Sequence, residues 1–202
     1  TDYAEGWRLA TELGVPMVDE HYYVDPGWMI HNQDYYDRYD RTKSKVYLGE
    51  YAAHLPGRPN NIETALAEAL YLTSVERNAD VVRLATYAPL FAHVDAWQWN
   101  PDLIWFDNLR MMRTPNYYVQ QMYGMNAGTD VLNLQMDGKP VTGQDSLYAS
   151  AVLDAPTGEV ILKLVNAGSR SEKVQIEFSG LKKRQLVSGS CTYLQSDDWK
   201  AK

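Results

Sequence analysis

Residues 45–51 read Lys45-Val46-Tyr47-Leu48-Gly49-Glu50-Tyr51. A short apolar run, Val46–Leu48, fits a buried parallel strand. It ends on a glycine and a carboxylate. Upstream, Val15–Val18 is a second such run, interrupted by Pro16 and followed by Asp19-Glu20-His21-Tyr22-Tyr23. Downstream, Val81–Tyr87 is a third, ending in Ala88-Pro89. Helical patterns alternate with these runs. Residues 3–13 space Trp7, Leu9, Ala10 and Leu13 helically, and Gly14 stops them. Residues 30–40 can form a helix bearing Tyr35, Tyr36 and Tyr39. Residues 62–78 carry Leu66, Leu70 and Val75 on an apolar side, with Asn60 or Asn61 available as a cap. A helix over about 115–124 follows the start signal Thr114-Pro115. The segments 55–61 and 91–108 read as loops, the second rich in aromatics.

Three strands cannot close a barrel, yet parallel strands need cover on both faces. Residues 1–124 are therefore expected to be the last three βα units of a (β/α)8 TIM barrel, whose chemistry sits at the C-terminal ends of its strands. From residue 125 the pattern changes. VLNLQM, SLYASAVLD, EVILKLVNA, KVQIEFSG and SCTYLQS alternate apolar and polar residues, with turn signals between them. Residues 125–202 are expected to form an antiparallel β-sandwich. The fold class is thus α/β followed by all-β. The free edge of the partial barrel is expected to favour self-association.

Composition narrows the function. The net charge of −7 leaves no cationic excess for phosphates, so a nucleic-acid partner is not expected. Lys182-Lys183-Arg184 reads as a solvated turn. No apolar run approaches the roughly 18 residues of a membrane span, so the visible chain is expected to be soluble, while its compartment stays unassigned. The single cysteine, Cys191, permits no internal disulfide and no Cys/His metal spacing, and is expected to be structural. Neither metal nor cofactor is expected. The chain has 15 Tyr and 6 Trp against 3 Phe. Such residues pair an apolar face with a polar edge, which suits a carbohydrate cleft as well as an ordinary Tyr-rich core.

Glu50 closes the central strand, where a carboxylate can act as nucleophile, general base or metal ligand, or simply end the strand in a salt bridge. Strand alternation places His21 and Tyr23 on one face and Glu20 and Tyr22 on the other. Two such residues make no metal site alone. Hydroxyl recognition, or a Tyr hydroxyl holding a carboxylate ionised, fits better. Ala96-Trp97-Gln98-Trp99-Asn100-Pro101-Asp102 could line a sugar site or cover the barrel mouth. Trp28, Met29 and Asn166 read as packing and turn residues.

The strings VDEHYY, YYDRYDR, KVYLGEYAAH, ALAEALYLTSVERNADVVRLATYAPLF, WNPDLIWFD and TPNYYVQQMYG, in this order, resemble the family 51 α-L-arabinofuranosidases over about residues 5–123. The resemblance implies a (β/α)8 barrel with a jelly-roll-like sandwich. It also implies retaining hydrolysis of terminal α-L-arabinofuranosyl groups from arabinan or arabinoxylan-type carbohydrate. The family nucleophile maps onto Glu50, the His-x-Tyr pattern onto His21 and Tyr23, and the sugar-closing loop onto Trp99, Asn100 and Asp102. This branch lacks the Gln of that loop in other members. The family acid/base lies in an Asn-Glu pair, and no such dipeptide occurs here. The partner carboxyl is expected upstream of Thr1, and the isolated chain is expected to be inactive. Alternatives are another retaining hydrolase of the same clan, xylosidase- or endoglucanase-like, and a non-catalytic carbohydrate-binding fragment built on residues 125–202.

Overall fold

The structure, a computed structural model, describes residues 3–180 and 188–202. Helix α1 (Tyr3–Leu13) ends at Gly14, whose φ of 65° is the left-handed value that favours glycine. Strand β1 (Met17–Val24), strand β2 (Lys45–Ala53) and strand β3 (Val82–Ala85) then form one parallel sheet in the order β1-β2-β3. The expected strand order and direction hold, but β1 is longer than the run over 15–19. It starts after Pro16 and continues to Val24, because β2 also runs on to Ala53 and pairs with it residue by residue. Asp19 to Tyr23 therefore lie within the strand.

One irregularity positions the site. Glu20 pairs with Leu48, yet His21 pairs with Glu50, so Gly49 is an extra residue in β2. Plain alternation would put Glu50 on the side of Val46 and Leu48, which face the core and are fully buried. The bulge resets the phase and turns Glu50 onto the side of His21 and Tyr23. Thr86, just beyond β3, holds the bulge: its Oγ1 donates to the Gly49 carbonyl at 2.7 Å, and its N–H to that of Leu48 at 2.9 Å.

Helix α2 spans only Pro26–His31, with the Asp25 side chain accepting from the Trp28 N–H. The helix expected over 30–40 is not there. Asp25-Pro26 starts a helix earlier, it stops at Asn32, and a single 3₁₀ turn at Tyr36–Arg38 follows. Tyr36 and Tyr39 in this stretch donate instead to the buried Glu20.

Helix α3 (Ile62–Arg77) opens with a reciprocal cap. Asn61 Oδ1 accepts from the Thr64 N–H, and Thr64 Oγ1 accepts from the Asn61 N–H. The next two orphan N–H groups, of Ile62 and Glu63, donate to the carbonyls of Ala201 and Trp199 near the C-terminus, each at 3.0 Å. Buried residues occur all around α3, including Ala67, Leu70, Thr73 and Ser74, because it is packed on several sides: β2, α2, the later helix and the β-region all touch it.

The aromatic loop expected over 91–108 contains regular structure. Strand β4 (Phe91–His93) pairs parallel with β5 (Ile104–Phe106), which pairs antiparallel with β6 (Met111–Arg113). Helix α4 (Pro115–Met125) follows, capped by Thr114 as anticipated. Strands β7 (Asp130–Val131), β8 (Leu147–Asp154) and β9 (Glu159–Asn166) make an antiparallel sheet. Tyr148 and Val165 from it join the main core, and Glu76 of α3 takes contacts from Ser150 and Lys163.

Of the β-sandwich expected over 125–202, the described residues form one three-stranded sheet. Among the described residues neither KVQIEFSG nor SCTYLQS has a strand partner, and Val174, Ile176 and Phe178 stand exposed. Alternation marks a strand tendency, but a strand also needs a paired neighbour. Lys182-Lys183-Arg184 lies outside the described residues. Cys191 is exposed rather than buried in a structural role. Among the described residues, no helix is long and apolar enough to cross a membrane, and no cluster of three His, Cys, Asp or Glu could hold a metal.

Candidate active site

Glu50 sits near the C-terminal end of β2, its side chain 40% exposed. The Tyr23 hydroxyl donates to Glu50 Oε2 at 2.5 Å. His21 Nδ1 lies 3.7 Å from the same oxygen. Burial, and then the Glu50 carboxylate, push the Tyr23 hydroxyl well above the ordinary tyrosine range, so it stays a donor. A carboxylate so placed can attack an electrophilic carbon at its open side, while Tyr23 restrains its geometry and charge.

Tyr23 is also the floor of an aromatic group. Its ring stacks on His54 with centroids 4.9 Å apart, and Trp99 tilts against it at 5.3 Å. The Arg58 guanidinium lies over Trp99 at 4.4 Å. Burial, reinforced by Arg58, lowers the His54 pKa, so its ring is kept neutral. His54 and Arg58 were not singled out from the sequence. His54 was within reach, because Glu50, Ala52 and His54 share a face at alternate positions. Arg58 was not: it lies in an irregular loop with a φ of 50°.

The three residues mapped to the sugar-closing loop separate in the structure. Trp99 reaches the Tyr23 side directly. Asn100 is committed to the loop opposite, its amide donating to the carbonyls of Gly57 and Arg58 at 3.2 and 3.3 Å. Asp102 is buried behind it, and its N–H donates to Asn60 Oδ1 at 3.0 Å. Burial raises the Asp102 carboxyl to about 6. Trp99 Nε1, His54 Nε2 and Asp102 Oδ2 are buried without a hydrogen-bond partner. Orphaned buried polar atoms are costly unless a ligand, water or further protein meets them.

Glu20 points the other way. Tyr3, Trp7 and Tyr39 donate to its Oε1 at 2.6, 2.9 and 2.8 Å, and Tyr36 to its Oε2 at 3.1 Å. Four donors satisfy it on the helix side of the sheet. Glu68 of α3 is a further buried carboxyl behind the site. It accepts from the Ala53 N–H at 3.0 Å and from Asn116 Nδ2 at 2.8 Å. Burial outweighs these donors and pushes it up to about 8.

The family model for the α-L-arabinofuranosidase C-terminal domain matches residues 31–202. The chain belongs to the α-L-arabinofuranosidase family. Curated members similar to it include the extracellular exo-α-L-arabinofuranosidase of Streptomyces chartreusis, 48% identical over 132 residues, which cover 65% of this chain and 16% of that protein. α-L-Arabinofuranosidase 1 of Arabidopsis thaliana is 33% identical over 178 residues, covering 85% and 25%. Among solved structures, an arabinose-bound GH51 α-L-arabinofuranosidase superposes with a TM-score of 0.68 at 30% identity, over 78% of this chain and 26% of that one. The α-L-arabinofuranosidase of Thermotoga maritima in complex with arabinose, at TM-score 0.54 and 16% identity over 82% and 41%, shows likeness of fold alone. The chain thus spans about a quarter or less of the length of these two curated relatives.

Proposed function

We propose that this chain belongs to a retaining α-L-arabinofuranosidase releasing terminal arabinofuranosyl groups from arabinan or arabinoxylan-type carbohydrate, with Glu50 as nucleophile. The observation that carries the reading is the Tyr23 hydroxyl on Glu50 Oε2, at the C-terminal end of a parallel strand. The family and the likeness to arabinose-bound structures support it. Residues 1–124 are taken as the last three βα units of a (β/α)8 barrel, with the side bearing His21, Tyr23 and Glu50 as its interior. Residues 125–202 are taken as part of a β-domain packed on α3.

In this reading Glu50 attacks the anomeric carbon while a second carboxyl protonates the leaving oxygen, giving an arabinosyl ester that water cleaves. The two carboxyls must lie about 5–5.5 Å apart on one side of the sheet. Glu20 faces the opposite side, and Asp19 is engaged with His21 Nε2 on the far side of the imidazole from Glu50, so the acid/base is assigned to a part of the enzyme outside these 202 residues. His21 and Tyr23 hold the nucleophile, and Trp99 offers a flat face for the sugar. Asn100 and Asp102 serve the sugar loop from behind, by fixing it against residues 57–60.

The test is Glu50→Ala in the intact enzyme. Turnover should fall by more than roughly 10³-fold, and azide should restore part of it by entering the vacated space, giving an inverted glycosyl azide. Turnover within a few fold of wild type would overturn the assignment.

A further inference from the structure

Asp19 is a charged neighbour of this site that the reaction above leaves without a task. It shares the β1 face with His21 and Tyr23, two residues apart from His21. Its Oδ2 lies 3.0 Å from His21 Nε2. The other ring nitrogen, Nδ1, is the one 3.7 Å from Glu50 Oε2. Asp19, His21 and Glu50 therefore form a line across two strands, with the imidazole between two carboxylates.

We propose that Asp19 is a positioning residue, which accepts the His21 Nε2 proton and thereby fixes the ring's orientation and tautomer, leaving Nδ1 to face the nucleophile. This rests on Glu50 being the nucleophile. A carboxylate only accepts hydrogen bonds, so the nitrogen it meets must carry the proton. Nδ1 of the neutral ring then bears the lone pair. The same logic of a carboxylate orienting a histidine toward a nucleophile operates in hydrolytic triads.

The backbone is built to admit this pair. A Cβ on Gly49 would lie 2.9 Å from His21 Nε2 and closer still to Asp19 Oδ1. Gly49 is also the bulge residue that brings Glu50 opposite His21. Its missing side chain thus makes room for the Asp19–His21 contact, while its extra backbone unit turns Glu50 onto that face. Tyr47, the cross-strand neighbour of Asp19, does not compete for it, because its hydroxyl pairs with Thr86 Oγ1 at 3.0 Å.

The chain has four histidines, so ring-nitrogen spectra of the ¹⁵N-histidine-labelled 202-residue protein are assignable with one His21→Gln control. At a pH where the ring is neutral, His21 should show a protonated Nε2 and an unprotonated Nδ1. Asp19→Ala removes the acceptor from Nε2, so the signature should move toward the opposite tautomer. Gly49→Ala should disturb it too, by displacing Asp19 without altering it. In the intact enzyme, Asp19→Asn should lower kcat by roughly 10–10²-fold with KM changed less than threefold; the drop is milder than in triads. A His21 protonated on Nδ1 in the wild type, or ring shifts unmoved in folded Asp19→Ala, would overturn the proposal. These spectra do not depend on Glu50 being the nucleophile, whose own failure the azide experiment reads separately.

Discussion

At the scale of single residues, Tyr23 has two tasks that one substitution separates. Its ring packs against His54 and Trp99, and its hydroxyl holds Glu50. Tyr23→Phe keeps the first and removes the second. A hydrogen bond to a charged group contributes about 1.5–3 kcal/mol, and Glu50 must be ionised and aligned at attack. In the intact enzyme kcat should therefore fall roughly 10- to 150-fold, with KM nearly unchanged. A raised KM at unaltered kcat would show that Tyr23 binds sugar and does not serve Glu50. The shared face of His21 and Tyr23 was legible from alternation alone. That Glu50 joins them was not a matter of counting: the Gly49 bulge that turns it is set by pairing with β1, a contact that no spacing along the chain reveals. Arg58 over Trp99 was illegible for the same reason, being a contact between two loops.

At the scale of elements, Glu68 joins three of them. From α3 it receives an N–H at the end of β2 and the Asn116 amide of α4, wholly buried between them. Its carboxyl, pushed up to about 8 by burial, is neutral in the folded protein at neutral pH, whereas in the unfolded chain it ionises near its usual 4.5. The unfolded state thus releases the proton first. Stability from this group is fully present below about pH 4.5 and is lost as pH rises through about 8. Glu68→Gln cannot ionise. Between pH 5 and 9 the melting temperature of the wild type should fall relative to that of Glu68→Gln by roughly 8–16 °C, equivalent to about 4 kcal/mol. Parallel melting temperatures across that range would contradict it. Helices α1, α3 and α4 were legible because their caps and breakers are local: Gly14, Asn61 and Thr114. The stretch after Asp25 misled because Tyr36 and Tyr39 are placed by the distant Glu20, not by helical neighbours. Strands β4 to β6 were hidden by shortness, three residues each carrying no readable period.

At the scale of the molecule, the chain leaves apolar and pairing surface open. β1 pairs with β2 alone among the described strands, and Phe91, Met111 and Leu109 are 60%, 56% and 93% exposed. A free strand edge invites pairing with another copy, and so does an exposed apolar surface. Light scattering after size exclusion should find the 202-residue chain as a dimer or larger, and a monodisperse monomer at micromolar concentration would contradict this. The change from mixed to antiparallel structure near residue 125 was legible from the switch in period. The number of paired strands was not, since Val174, Ile176 and Phe178 alternate correctly yet have no paired neighbour among the described residues. The central claim, that Glu50 is the nucleophile, is tested most directly by trapping. The intact enzyme, treated with an activated 2-fluoro arabinofuranoside, should gain the mass of one fluorosugar, and peptide mapping should place it on Glu50. An adduct on Glu20 or on any other carboxylate would contradict the assignment.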